Sequence, residues 1–205
     1  MTISLPKLYP ITDTRLAGLS HAEQVERLAA GGATLIQLRD KTTSPRDFYE
    51  AALAALKIAR ALNVRIIIND RVDIAAAVRA DGVHLGQDDL PPDRARAILP
   101  PGAIIGFSTH NLKQALEADS TSADYVAFGP VFQTSTKENP DPVVGLDQLA
   151  EIRRLVSKPL VAIGGITLER AASVIEAGAA SVAVISDLYS VGDIAERAAA
   201  FISRI

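Results

Sequence analysis

The sequence predicts an α/β fold, a single (β/α)8 TIM barrel, and three observations carry that prediction. Seven short runs rich in Val and Ile are continuous rather than alternating, as strands buried on both faces are. Helical stretches separate them, and regular alternation of strand and helix implies a parallel sheet with right-handed crossovers. Each run also ends in a small knot of polar or glycine residues. A parallel barrel carries its active site at those strand ends.

The elements follow in order. Residues 8–12 make an opening strand and residues 21–30 a helix that Gly31 ends. Leu35-Ile36-Gln37-Leu38 runs into Arg39-Asp40-Lys41. A helix then covers 45–62, with Ser44 as its N-cap and Pro45 in its first turn. Ile66-Ile67-Ile68 leads to Asn69-Asp70 and a helix over 71–80. Val83-His84-Leu85 leads to Gly86-Gln87-Asp88-Asp89 and a helix over 92–99, closed by Pro100-Pro101-Gly102. Ile104-Ile105-Gly106-Phe107 meets Ser108-Thr109-His110 before a helix over 111–122. Tyr125-Val126-Ala127-Phe128 opens the longest irregular stretch, 129–145, which holds Thr134-Ser135-Thr136-Lys137 and precedes a helix over 147–156. Val161-Ala162-Ile163 ends in Gly164-Gly165, followed by a helix over 167–177 that Gly178 ends. Val182-Ala183-Val184-Ile185 ends in Ser186, and a last helix spans 187–205. The count is eight strands and eight helices. An open doubly wound sheet would use roughly five or six strands and leave the last units without a place.

At 205 residues the chain fits one domain, 1–205, with one core, on the small side for a barrel. The net charge is −3 with both signs interleaved, which gives no basic footprint for nucleic acid. No cysteine is present, and thiolate catalysis, disulfides and Cys-based zinc sites go with it. Neither a signal-peptide run nor the ~20 apolar residues of a membrane span occurs. A cytoplasmic protein with small-molecule partners is expected. The sequence leaves homo-oligomerisation open.

Asp70 and Asp89 close neighbouring strands and share one rim, an arrangement that suits Mg²⁺ held by carboxylates and substrate phosphates. Singly, Asp70 reads equally as a helix N-cap and Asp89 as a turn residue. Arg39, Lys41 and Lys137 suit a polyanion on the same rim, Arg through its planar fork and Lys as a point charge. Solvated surface cations are the plain alternative. Gly164-Gly165 and Ser186 end the last two strands, where barrels commonly hold a phosphate. Two anion sites follow, one assisted by a metal and one not. No Ser-His-Asp or Cys-His arrangement emerges. His21 and His84 read as structural or peripheral, His110 stays open near the rim, and Asp40 and Glu138 read as solvated neighbours of the cations. Phe107, Tyr125 and Phe128 read as core, and Phe132 as a wall for a ring-binding pocket.

The motifs Gln37-Leu-Arg39-Asp-Lys41, Ile-Asn69-Asp70-Arg, Gly-Val-His-Leu-Gly-Gln-Asp-Asp89-Leu-Pro, Ser108-Thr-His-Asn, Gly-Pro-Val-Phe-Gln-Thr134-Ser135-Thr136-Lys137 and Ala-Ile-Gly164-Gly165-Ile resemble the thiamine-phosphate synthase (thiamine-phosphate pyrophosphorylase) family, in order from about Tyr9 to Ser186. The resemblance implies a Mg²⁺-dependent transferase that joins hydroxymethylpyrimidine diphosphate to thiazole phosphate, or its carboxylate, and releases diphosphate. It assigns Gln37, Leu38, Arg39, Asp40, Lys41, Asn69, Ser108 and Lys137 to the pyrimidine diphosphate, with Arg39, Lys41, Ser108 and Lys137 as the catalytic set. It gives Asp70 and Asp89 to the metal. Thr134, Ser135, Thr136, Gly165, Ile185 and Ser186 go to the thiazole phosphate. Three alternatives are weaker. A thiazole tautomerase paralogue has no use for two metal carboxylates and a diphosphate clamp. A non-catalytic binder would be expected to show a disabled residue set, and a sugar-phosphate isomerase an acid–base pair on the rim.

Overall fold

The computed structural model describes residues 3–134 and 141–205. In chain order it holds β1 (Leu8–Pro10), α1 (Thr14–Ala17), α2 (His21–Ala30), β2 (Leu35–Leu38), α3 (Pro45–Ala61), β3 (Arg65–Asn69), α4 (Val72–Val78) and β4 (Gly82–Leu85). Then come α5 (Pro92–Ile98), β5 (Ile104–Thr109), α6 (Leu112–Asp119), β6 (Tyr125–Phe128), α7 (Gly145–Leu155), β7 (Leu160–Ile163), α8 (Leu168–Glu176), β8 (Ser181–Val184), a 3₁₀ turn (Ser186–Tyr189) and α9 (Ile194–Arg204).

The eight strands form one parallel sheet in the order β1-β8-β7-β6-β5-β4-β3-β2. Leu8 faces Val182 across β1 and β8. A parallel bridge between Ile11 and Gln37 closes the ring, and Thr12 N–H donates to the Gln37 carbonyl at 2.9 Å. The expected TIM barrel is therefore present, with successive residues of each strand facing opposite sides.

Two apolar layers explain why the strand sequences run on without alternation. One cluster fills the barrel interior, with Tyr9, Leu35, Ile67, Tyr125 and Val161 among its members. The other lies between strands and helices and includes Ile66, Ile68, Val126 and Phe128. Ile67 therefore points inward while Ile66 and Ile68 point outward.

Helix ends follow local chemistry. Ser44 accepts from Asp47 N–H at 3.1 Å, with Pro45 opening α3 as expected. Ser20 and Glu23 form a capping box on α2. The structure adds α1, a single turn too short for apolar periodicity to mark. Asp13 caps it by accepting from Arg15 and Leu16 N–H, and Gly18 ends it at φ 62°. The single helix expected over 187–205 is instead a 3₁₀ turn and α9, because Asp193 takes up the N–H groups of Ala195 and Glu196 and starts a new helix.

At the rim opposite the strand C-termini, side chains are consumed in holding backbone. Asp124 accepts from Ile105 N–H at 2.8 Å and from Arg96 Nη2 at 2.6 Å. Lys158 Nζ donates to the carbonyls of Ala118, Asp119 and Thr121, filling the open C-terminus of α6. Among the described residues no helix is long and apolar enough to cross a membrane.

Candidate active site

The C-terminal strand ends enclose a cavity of about 540 Å³. Its wall includes Gln37, Arg39, Lys41, Asn69, Asp70, Asp89, Ser108, Thr134, Gly165, Ile185 and Ser186, so most of the site residues expected from sequence meet there. Leu38 does not. Gln37 faces the interior, so its neighbour points outward, fully buried against the helices. Asp40 does not either, because its carboxylate turns back to accept from Thr42 and Thr43 N–H at 2.8 and 2.9 Å. It builds the loop that carries Arg39 and Lys41. Ser135, Thr136, Lys137 and Glu138 lie outside the described residues.

Asp70 sits in the left-handed region at φ 60°. Arg71 N–H donates to the Asn69 carbonyl at 2.7 Å, which places Asp70 at the centre of a three-residue turn. The N-cap reading of Asp70 is thereby corrected: α4 starts after Arg71, with no side-chain cap. A non-glycine residue held at positive φ at a rim is the kind of local strain that functional sites carry. Asp89 accepts from Gly86 N–H at 2.6 Å through Oδ2, so it closes its turn with one oxygen while lining the cavity. Burial pushes the Asp89 carboxyl above the usual carboxylate range, against the Gly86 N–H, and the neighbouring negative charge of Asp70 pushes it further. Two acidic groups thus crowd each other at one point, and the Lys41 ammonium already pairs with Asp70 Oδ2. Oxygen donors and mutual repulsion between two carboxylates fit a hard divalent cation, and the Lys41 ammonium shows that Asp70 takes up positive charge. No group of three or more His, Cys, Asp or Glu side chains suited to a metal occurs among the described residues, so further ligands would come from a bound molecule or water.

Arg39 is oriented by Asp13, 3.4 Å from Nη1, and its N–H donates to Thr12 Oγ1 at 3.2 Å. Asn69 is only 8% exposed, and its Nδ2 is buried without a partner, a donor left over for a ligand. On the far wall Gly164 and Gly165 have φ of 99° and 61°. A Cβ on Gly164 would lie 2.5 Å from Pro130 Cα, and one on Gly165 would lie 2.9 Å from Phe132 Cβ. Both conformation and space therefore demand glycine, which leaves backbone exposed to the cavity beside Ser186.

Several lining residues lie outside the set that the resemblance assigns to substrate or metal. His84, expected to be structural or peripheral, lines the cavity and bonds Ser108 Oγ through Nε2 at 2.8 Å. The structure shows why: in Val83-His84-Leu85 the two flanking residues belong to the outer core, so the residue between them faces in, a register that the apolar run by itself does not reveal. Gln87, Gln114 and Asp141 also line the wall, as does His110, whose Nδ1 donates to the Gly129 carbonyl at 2.7 Å. Phe132 is not among the lining residues; the Arg170 guanidinium lies 4.7 Å from its ring centroid.

Comparison with known proteins gives a consistent match. The family model described as thiamine monophosphate synthase matches residues 8–188. The chain is 50% identical over 193 residues to a thiamine-phosphate synthase of Koribacter versatilis, covering 91% of this chain and 90% of that protein. It is 49% identical over 189 residues to one of Clostridium novyi, covering 92% and 93%. Among solved structures, the thiamine phosphate pyrophosphorylase from Pyrococcus furiosus superposes with a TM-score of 0.87 at 39% identity, over 97% of this chain and 94% of that one.

Proposed function

The chain belongs to the thiamine monophosphate synthase family, and from that premise we propose how its rim performs the synthesis of thiamine phosphate. The reaction joins hydroxymethylpyrimidine diphosphate to thiazole phosphate or its carboxylate and releases diphosphate. One observation carries the assignment of substrates to walls. Arg39, Lys41, Asn69, Asp70 and Asp89 line one side of the cavity, and the glycine turn with Ile185 and Ser186 lines the other. Two anions of different kinds then meet around one centre.

Asp70 and Asp89 are the residues that would hold Mg²⁺, which when bound supplies charge neutralisation at the departing diphosphate. Arg39, held by Asp13, and Lys41 offer cationic donors to the same phosphates. Lys137 joins them in this reading. Leaving-group departure is assisted by the electron-rich aminopyrimidine, so positive charge develops on its methylene carbon. The Asn69 amide and the Ser108 hydroxyl orient the pyrimidine diphosphate. Backbone at Gly165 and Ile185, with Thr134, Ser135, Thr136 and Ser186, holds the thiazole phosphate so that its ring nitrogen waits within reach. That nitrogen attacks with its own lone pair, so no side chain has to remove a proton. Residues 129–145 exclude water, the competing nucleophile. A cytoplasmic setting and the absence of a nucleic-acid partner belong to the same reading.

The test is direct. The purified protein is incubated with both substrates and Mg²⁺, and thiamine phosphate and diphosphate are quantified. Equimolar formation of both is expected. Folded protein that yields neither overturns the proposal.

A further inference from the structure

Between Gln37 and Ser108, which both line the cavity, runs a line of buried polar side chains that the reaction scheme has not used, Tyr9, Tyr125 and His84. Gln37 Nε2 donates to Tyr9 Oη at 3.1 Å. Tyr9 Oη and Tyr125 Oη are 3.0 Å apart, Tyr125 Oη and His84 Nδ1 2.9 Å, and His84 Nε2 and Ser108 Oγ 2.8 Å. Tyr9 and Tyr125 are essentially inaccessible, although each carries a hydroxyl into the barrel interior. Polar groups at that depth are costly unless each is matched.

The protons can be placed by counting donors. Each phenol owns one. Tyr9 Oη accepts a hydrogen bond from the Gln37 amide, and donating its own proton to Tyr125 Oη leaves no buried donor on Tyr9 unmatched. Tyr125 must then donate to His84 Nδ1, which carries the lone pair. The imidazole proton therefore sits on Nε2 and is donated to Ser108 Oγ. Ser108 is left with a proton that nothing in the line consumes, on a residue that lines the cavity. Burial holds both phenols protonated, consistent with this count.

The backbone is built around the same line. His84 faces Gly106 across β4 and β5. A Cβ on Gly106 would overlap both Tyr125 Oη and His84 Nδ1. The Tyr125 and His84 rings stack at 5.6 Å, 21° from parallel. Glycine at 106 is thus the space through which the two polar atoms meet.

We propose that these residues form a one-way hydrogen-bond relay, in which Tyr125 and His84 are positioning residues that commit the Ser108 hydroxyl as a donor to a lone pair of the bound pyrimidine diphosphate. The inference rests on the substrate assignment above. The acceptor is either a phosphate oxygen or a ring nitrogen, which share the same chemistry.

Nitrogen-15 NMR of the His84 ring reads the relay directly in the whole protein. The Nε2–H tautomer is expected, and an Nδ1–H ring overturns the proposal. Tyr125→Phe keeps the ring and removes the hydroxyl. It should abolish the tautomer preference and lower kcat/KM for the pyrimidine diphosphate about tenfold, the scale of one lost hydrogen bond, with KM for thiazole phosphate unchanged. In a Ser108→Ala background the same substitution should add nothing. An equal loss in both backgrounds means packing alone and overturns the relay. Tyr9→Phe is read in the same way, should Tyr125→Phe not fold. Ser108→Ala should weaken binding of inorganic diphosphate if the acceptor is a phosphate oxygen, or of the phosphate-free pyrimidine alcohol if it is a ring nitrogen. Weakening of neither overturns the donor role. Failure of the wild-type protein to make thiamine phosphate would instead strike the substrate assignment, and the NMR result would stand apart from it.

Discussion

Gly165→Ala tests whether the far wall of the cavity is shaped by space as well as by conformation. Gly165 has φ 61°, where an L residue with a Cβ costs about 1–2 kcal/mol. The new methyl would also meet Phe132 Cβ at 2.9 Å and the Gln133 carbonyl, and forcing such a contact costs about 1–3 kcal/mol more. The sum is about 2–5 kcal/mol, a large share of the roughly 5–15 kcal/mol that holds a domain folded. For a chain of this size that lowers Tm by roughly 4–20 °C. Gly18 provides an internal control. It has almost the same φ, 62°, and a Cβ there would meet nothing within 4 Å, so Gly18→Ala should show the conformational part alone. Urea denaturation of the two variants separates the terms. Steady-state kinetics should then show KM for thiazole phosphate raised at least about tenfold in Gly165→Ala, with a smaller change for the pyrimidine diphosphate. If Gly165→Ala costs no more than Gly18→Ala and leaves that KM alone, the reasoning about this wall is wrong.

Asp89→Asn should raise the Mg²⁺ concentration needed for half-maximal turnover by about 100-fold or more, read from a metal titration of initial rate; an unchanged midpoint removes Asp89 from the metal site. His84 makes folding acid-sensitive. Burial pushes its pKa down to about 4 from 6.5, so as pH falls from 6.5 to 4 the unfolded chain takes a proton that the native state refuses, and stability drops by about 3 kcal/mol. Denaturation midpoints of wild type and His84→Gln should therefore converge or cross across that window, and parallel profiles would contradict the assignment. Lys137→Ala should slow diphosphate release and divert more of the pyrimidine to the hydrolysed alcohol, measured by product partition; no change in either would remove its proposed role.

Strand positions are legible in the sequence because each strand is buried twice, by the interior on one side and by helices on the other. That same uniformity hides which residue faces where. In Leu35-Ile36-Gln37-Leu38 nothing distinguishes an inward Leu from an outward one until the register is known, so the motif alone groups Leu38 with Gln37. The rim charges are visible because they interrupt apolar runs. The turn at Asp70 is not, since its position is set by a backbone bond between Asn69 and Arg71 rather than by residue type. His84, Tyr9 and Tyr125 are unreadable as a set, because they come from three different strands and meet only when β4, β5 and β6 align and the ring closes.

The long segment after β6 leaves and rejoins the barrel at a tied neck. Val144 N–H donates to the Pro130 carbonyl at 2.9 Å and Gly145 N–H to the Val131 carbonyl at 3.2 Å, with Val131 and Val144 both buried beneath. Whatever lies beyond the neck enters and exits at one fixed point, so its length is uncoupled from barrel closure. Doubling such a loop costs only about 0.6 kcal/mol in closure entropy. The neck makes the stretch beyond Phe132 and Gln133 an exchangeable cassette: a chimera that swaps residues 134–143 for a relative's segment should fold on the same barrel with its denaturation midpoint little changed.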